Sequence, residues 1–158
     1  MLDDVYQGFQ DLDGNFLEQL QTTAFDRRFF ELYLFAYFSR SGFDIDLGHA
    51  SPDFLVERQG VKVAVEATTV NPSRAGVVKE LGRTLKQLSE NESEDYFLNE
   101  LPIRFGGPLF SKLQKKYWNL EHCRGLPFVI AIEAFHEDDA YLISDNSLSN
   151  YLRVSGNS

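Results

Sequence analysis

Two runs of strand-forming residues separated by two positions constrain this chain more than any other feature. Asp53–Arg58 and Val61–Val70 flank Gln59-Gly60, a spacing that predicts an antiparallel hairpin with Gln59 and Gly60 at the centre of its turn. With Arg58 opposite Val61, Glu57 faces Lys62, Val56 faces Val63, Phe54 faces Val65 and Asp53 faces Glu66. Directly opposed side chains have Cβ atoms about 4.5–5.5 Å apart. Two carboxylates at that distance repel unless a cation lies between them or one takes a proton. A hard divalent cation such as Mg²⁺, which accepts one or two carboxylates and keeps several waters, fits that geometry. A looser turn would instead leave both acids on solvent-facing strand ends. Glu66, however, lies within VKVAVEATTV, where an unpaired acid is costly.

The remainder of the chain alternates helix and strand. A helix is expected from Asp26, as N-cap, to Gly42 just past its end, apolar nearly all round. Phe43–Leu47 reads as a strand. Asn71-Pro72-Ser73 precedes an expected helix over 74–89, and an acidic loop is expected from there to Phe105. A third helix should begin at Gly106-Gly107-Pro108, with Pro108 in the favoured first position. Pro127–Phe135 reads as a buried strand and Asn146–Arg153 as a short last helix. This pattern predicts an α/β fold, a mixed central sheet flanked by helices. At 158 residues a single domain is expected, with a peripheral segment over 1–24, a core over 25–135 and a C-terminal extension over 136–158.

Composition narrows the function classes. Apolar residues make up 43% and charged residues 25%, the range of globular chains. A net charge of −9 argues against a general nucleic-acid coat but leaves room for local basic patches. The single cysteine, Cys123, allows no internal disulfide, and no basic, apolar leader opens the chain, so a cytoplasmic protein is expected. No apolar run is long enough for a membrane span. P-loop, dinucleotide-binding, HExxH and CxxC motifs are absent from the sequence.

Other residues can join the Asp53–Glu66 pair. On the third helix Lys112 and Lys116 flank the apolar stripe that includes Leu109, Leu113 and Tyr117, so their ammonium groups can reach a site beside the sheet, whereas Lys115 points away. Ordinary solvated lysines are the plain alternative. Glu31 is the only charge between Phe29 and Phe38; it either pairs with Arg27 or Arg28, one turn away, or points at the cation. His49, four residues before Asp53, is a candidate metal or phosphate contact. Arg74 and Lys79 are candidate phosphate contacts near a helix N-terminus.

Ser51-Pro52-Asp53-Phe54, the turn at Gly60 and Val63-Ala64-Val65-Glu66-Ala67-Thr68 resemble the PD-(D/E)xK nuclease superfamily, whose restriction-endonuclease-like core runs α-β-β-β-α-β. The resemblance covers Asp26 through Phe135. It implies that Asp53 and Glu66 bind Mg²⁺ or Mn²⁺, with the Ala67 backbone carbonyl as a further ligand and Glu31 completing the site. The superfamily's lysine falls at Thr68, which carries no charge, so Lys116 or Lys112 would have to replace it. Thr68 then joins Arg74, Lys79 and His49 as a candidate nucleic-acid contact. The function implied is a metal-dependent endonuclease or exonuclease acting on DNA, with RNA not separated from it. A homodimer, a further domain or a protein partner stays open. The alternative is a nuclease-like module without catalysis, which binds a partner.

Overall fold

The computed structural model describes residues 9, 14–22, 24–71, 98–99 and 101–135. These form α1 (Phe16–Gln21), α2 (Phe25–Arg40), β1 (Asp44–Asp46), β2 (Phe54–Arg58), β3 (Val61–Val70), α3 (Leu101–Gln114) and β4 (Phe128–Ala134), with two 3₁₀ turns, Tyr117–Asn119 and Glu121–Cys123, before β4. The class is mixed α/β. The expected helices over 74–89 and Asn146–Arg153 lie outside the described residues, as do Arg74 and Lys79.

The hairpin forms in the expected register: Phe54, Val56, Glu57 and Arg58 face Val65, Val63, Lys62 and Val61. Gln59 and Gly60 both take positive φ, 53° and 77°, the turn whose twist matches that of paired strands. β1 pairs antiparallel with β2, and the sheet runs β1-β2-β3-β4. The Ala64 N–H donates to the Pro127 carbonyl, and the Phe135 N–H to the Val70 carbonyl. Both partners advance together along the chain, so β4 runs parallel to β3 and the sheet is mixed.

The described residues fall into two compact units, one within Met1–Thr68 and Lys112–Ala131, the other within Thr69–Ser111 and Ile132–Ser158. In the first unit the hairpin is covered on both faces, which is why Phe54, Leu55 and Val56 are all buried. Phe54 meets Phe38 of α2 edge to face at 5.9 Å. On the other face Leu55 and Ala64 pack with Cys123, flanked by Leu120, Leu126 and Phe128. Cys123 is a buried core residue, and burial pushes its thiol up from its ordinary value. In the second unit Phe105 and Val70 are buried.

The strands match expectation to within a residue at each end, and three helix boundaries differ. α2 begins two positions early: its N-cap is Ala24, whose carbonyl accepts the Arg28 N–H, and Asp26 sits in the first turn, where a carboxylate favours the helix dipole. Its end is as expected, with Gly42 at φ +73° and the Phe43 N–H bonded to the Phe38 carbonyl in a Schellman closure. α3 begins at Leu101 rather than at Gly106, so 101–105 is helix and not loop. Pro102 is the first-turn proline and Pro108 lies inside the helix; the buried Pro102 and Phe105 anchor the turns upstream of Gly106-Gly107. α3 also ends before Lys116, which takes φ +50° at the start of the 3₁₀ turn and is exposed.

The turn geometry has a measurable consequence. A Cβ at Gly60 would meet no atom within 4 Å, so Gly60→Ala costs only backbone strain, about 1 kcal/mol in urea unfolding. Gln59→Asn, which tolerates positive φ, raises stability by a few tenths of a kcal/mol.

Candidate functional site

Glu66 lies on the middle of β3 at 2% exposure, and its charge is met from three directions. Lys112 Nζ, from the last turn of α3, bonds Oε1 at 2.5 Å. The Tyr117 hydroxyl donates to the same oxygen at 2.8 Å. The Asp53 backbone N–H donates to Oε2 at 3.2 Å. Removing a carboxylate from water costs several kcal/mol, and only direct charged and hydrogen-bonded partners repay that. Burial and the adjacent Glu66 push the Tyr117 phenol well above its ordinary value, so it remains a donor.

Asp53 follows from the same register. It precedes β2, and its Oδ2 accepts the Ala67 N–H at 2.8 Å. The ladder itself closes at Phe54–Val65, yet these two bonds bring the Asp53 and Glu66 carboxyl groups to one end of the hairpin. A strand residue sends its N–H and C=O to the same edge, so the Ala67 carbonyl also faces the Asp53 side. Burial, then Glu66 and Glu31, raise Asp53 from 3.8 to about 6, against the lowering effect of Arg27 and of the Ala67 N–H.

α2 supplies the rest. Arg27 Nε donates to Glu31 Oε1 at 2.8 Å and its Nη2 to Asp53 Oδ1 at 3.3 Å. Arg28 Nη1 donates to Glu31 Oε2 at 2.6 Å. Each Glu31 oxygen thus has an arginine, the pairing expected one helical turn away, and Arg27 also reaches Asp53. Burial would lower the Arg27 pKa, but Glu31, Asp53 and Glu66 together outweigh this and raise it. Arg28 is further held by Gln19 of α1 at 2.7 Å and stacks over the Phe16 ring.

The remaining candidates sort differently. Lys112 reaches the site, whereas Lys116 does not: the helix that would have aimed it ends at Gln114. Lys115 lies over the Tyr117 ring instead. Thr68 is buried in β3, so its hydroxyl is inside the molecule and not on a surface that nucleic acid would meet. His49 stacks on His122 at 3.8 Å, with its Nε2 3.8 Å from Asp46 Oδ2, and makes no contact with Asp53 or Glu66. Arg27 and Tyr117 are the residues that sequence reasoning undervalued. Arg27 was visible as a partner one turn from Glu31. Tyr117 was placed on an apolar stripe, although a buried phenol needs a hydrogen-bond partner.

Three acids, Glu31, Asp53 and Glu66, thus share one site with Arg27, Arg28 and Lys112. Among the described residues no group of three or more His, Cys, Asp or Glu is arranged to hold a metal ion. The oxygens brought together here are the Asp53 and Glu66 carboxylates and the Ala67 carbonyl, hard donors of the type Mg²⁺ and Mn²⁺ accept. Comparison of the chain with protein-family models, with curated proteins and with solved structures gives no match.

Because its folded value is raised, Asp53 stabilises the fold fully below pH 3.8, and that contribution is lost as the pH rises through about 6. The loss is about 3 kcal/mol at most. Asp53→Asn keeps an oxygen for the Ala67 N–H and removes the titration. Unfolding in urea across this pH window should show a variant that overtakes the wild type above about pH 6.

Lys112→Met leaves Glu66 buried and undercompensated, and should cost about 3 kcal/mol. The double variant Lys112→Met/Glu66→Leu should recover most of that loss, measured in the same way.

Proposed function

We propose that the chain is a divalent-metal-dependent nuclease of the PD-(D/E)xK, restriction-endonuclease-like type, hydrolysing phosphodiester bonds, of DNA by the habit of that superfamily. The observation that carries this reading is Lys112: its ammonium group lies directly against Glu66, at the site where the motif lysine is missing from Thr68. The described order of α2, three antiparallel-paired strands, a later helix and a parallel strand agrees with the core that the resemblance implies.

Asp53, Glu66 and the Ala67 carbonyl would hold Mg²⁺ or Mn²⁺, with Glu31 able to join only by giving up an arginine. A cation bound there polarises a scissile phosphate and lowers the pKa of a water. Lys112 supplies positive charge for the transferring phosphoryl group, in a buried setting where that charge acts most strongly. Tyr117 holds the Glu66 carboxylate in place. Arg27, nearly half exposed, is the cation free to leave Asp53 and take a phosphate oxygen through its fork of N–H donors.

A second reading rests on the same ion pairs. Arg27 on Asp53 and Lys112 on Glu66 balance the acids without any ion, which suits an inactive module that binds a partner.

Titration calorimetry with Mn²⁺ and Mg²⁺, followed by cleavage assays on single- and double-stranded DNA and RNA, separates the two. The nuclease reading expects Mn²⁺ binding lost in Asp53→Asn and cleavage reduced at least a hundredfold in Lys112→Met. Absence of metal binding both with and without nucleic acid overturns it in favour of the inactive module.

A further inference from the structure

α2 has two faces with different surroundings. At about 100° per residue, Arg27, Glu31 and the buried Leu34 lie on the side turned to the sheet and the site. Phe25, Phe29, Tyr33 and Tyr37, four residues apart, form one ridge on the opposite side, exposed at 50, 37, 58 and 54%. A continuous row of large aromatic rings in water forgoes the gain that burial of such rings gives, and rows of this kind mark interaction surfaces. The ridge is ordered along its length: Phe25 and Phe29 stack at 5.6 Å, and Tyr37 packs edge to face on Phe38. Asp26 and Arg40 share this side of the helix near its two ends, and neither forms a salt bridge among the described residues.

We infer that the chain forms a two-fold homodimer through this ridge, with α2 of a second copy lying antiparallel across it. An isologous interface requires that where residue i meets j, j also meets i. The ridge has this property in one register. With Tyr33 on the axis against Tyr33 of the other copy, Phe29 faces Tyr37, and Asp26 faces Arg40 at both ends. A slip of one turn in one direction sets Asp26 against Ala36 and carries Arg40 past the start of the other copy's α2. A slip of one turn in the other direction carries Asp26 past the end of that helix and sets Arg40 against the buried Phe30. The charges therefore select the register that also matches the aromatic rings. Asp26 and Arg40 are about 21 Å apart along the helix at 1.5 Å per residue, and helices crossing at about +20° stay within side-chain reach over that span. Roughly 100 Å² from each ring, over both copies, gives about 800 Å² before the flanking side chains are added, the low end of specific interfaces, so the dimer should dissociate on dilution. The site residues Arg27 and Glu31 lie on the far side of α2, away from this interface. The inference does not depend on the nuclease reading.

Sedimentation equilibrium of the full chain over roughly 1–500 μM tests it. The expected result is a monomer–dimer equilibrium reaching twice the chain mass, abolished in Tyr33→Arg with the circular dichroism spectrum unchanged, as befits an exposed side chain. Asp26→Arg and Arg40→Asp should each raise the dimer dissociation constant about tenfold, and the double swap Asp26→Arg/Arg40→Asp should restore it to within about threefold of the wild type. A monomer at every concentration overturns the inference and leaves the ridge to a different partner. So does a dimer indifferent to Tyr33→Arg, and so does a double swap no tighter than the single changes.

Discussion

The structure around the site depends on the buried carboxylate of Glu66. A charge at the middle of a covered strand is tolerated only with partners in place, and those partners come from three separate stretches of chain: Lys112 at the end of α3, Tyr117 in the following turn, and the backbone of Asp53. Each of these bonds positions an element. The Lys112 and Tyr117 bonds bring the 112–117 stretch onto the face of the hairpin where Leu55 and Ala64 meet Cys123. The Asp53 N–H bond draws the start of β2 to Glu66, and the Ala67 N–H returns the contact by bonding the Asp53 carboxylate. What looks like a misplaced acid in an apolar strand is the point on which the local packing converges.

Arg27 extends the network to α2 and sets its chemical character. It touches Glu31 and Asp53 at once, so three acids and three cations form one connected set. The set is unequally secured. Glu31 and Glu66 are buried with direct partners on both oxygens, whereas Asp53 is held by a longer contact to an arginine that is itself half in solvent. Burial, then Glu66 and Glu31, push Asp53 up to about 6, and Arg27 is the cation best able to exchange its partner. A divalent ion, a phosphate or a protein carboxylate arriving at this end of the hairpin would meet that weak link first. The same helix carries the aromatic ridge on its other side, so α2 joins the two features to which functional readings attach.

Legibility of the fold from sequence tracked how local the deciding interactions were. The Gln59-Gly60 turn, the hairpin register and the Gly42 helix end follow from two or three neighbouring residues and came out as read. The start of α3 did not, because Gly106-Gly107-Pro108 looks like a helix start while burial of Pro102 and Phe105, a tertiary effect, carries the helix upstream. Lys116 differs from expectation for a related reason: its placement beside the site needs a helix that continues past Gln114, and the chain instead turns through a left-handed residue at Lys116. His49 found its partner in His122, a residue distant in sequence that no spacing rule joins to it.

Taken by itself, the sequence determined the hairpin and hence the meeting of Asp53 and Glu66, because strand alternation and a two-residue turn leave little freedom in register. It also placed Arg27 and Arg28 within reach of Glu31, since one helical turn separates them. Only the tertiary structure decided which lysine reaches Glu66, that Tyr117 joins it, and that Arg27 spans from Glu31 to Asp53. Those choices depend on how covering elements seat on the two faces of the hairpin, a matter of packing between residues far apart in the chain, which no local periodicity encodes.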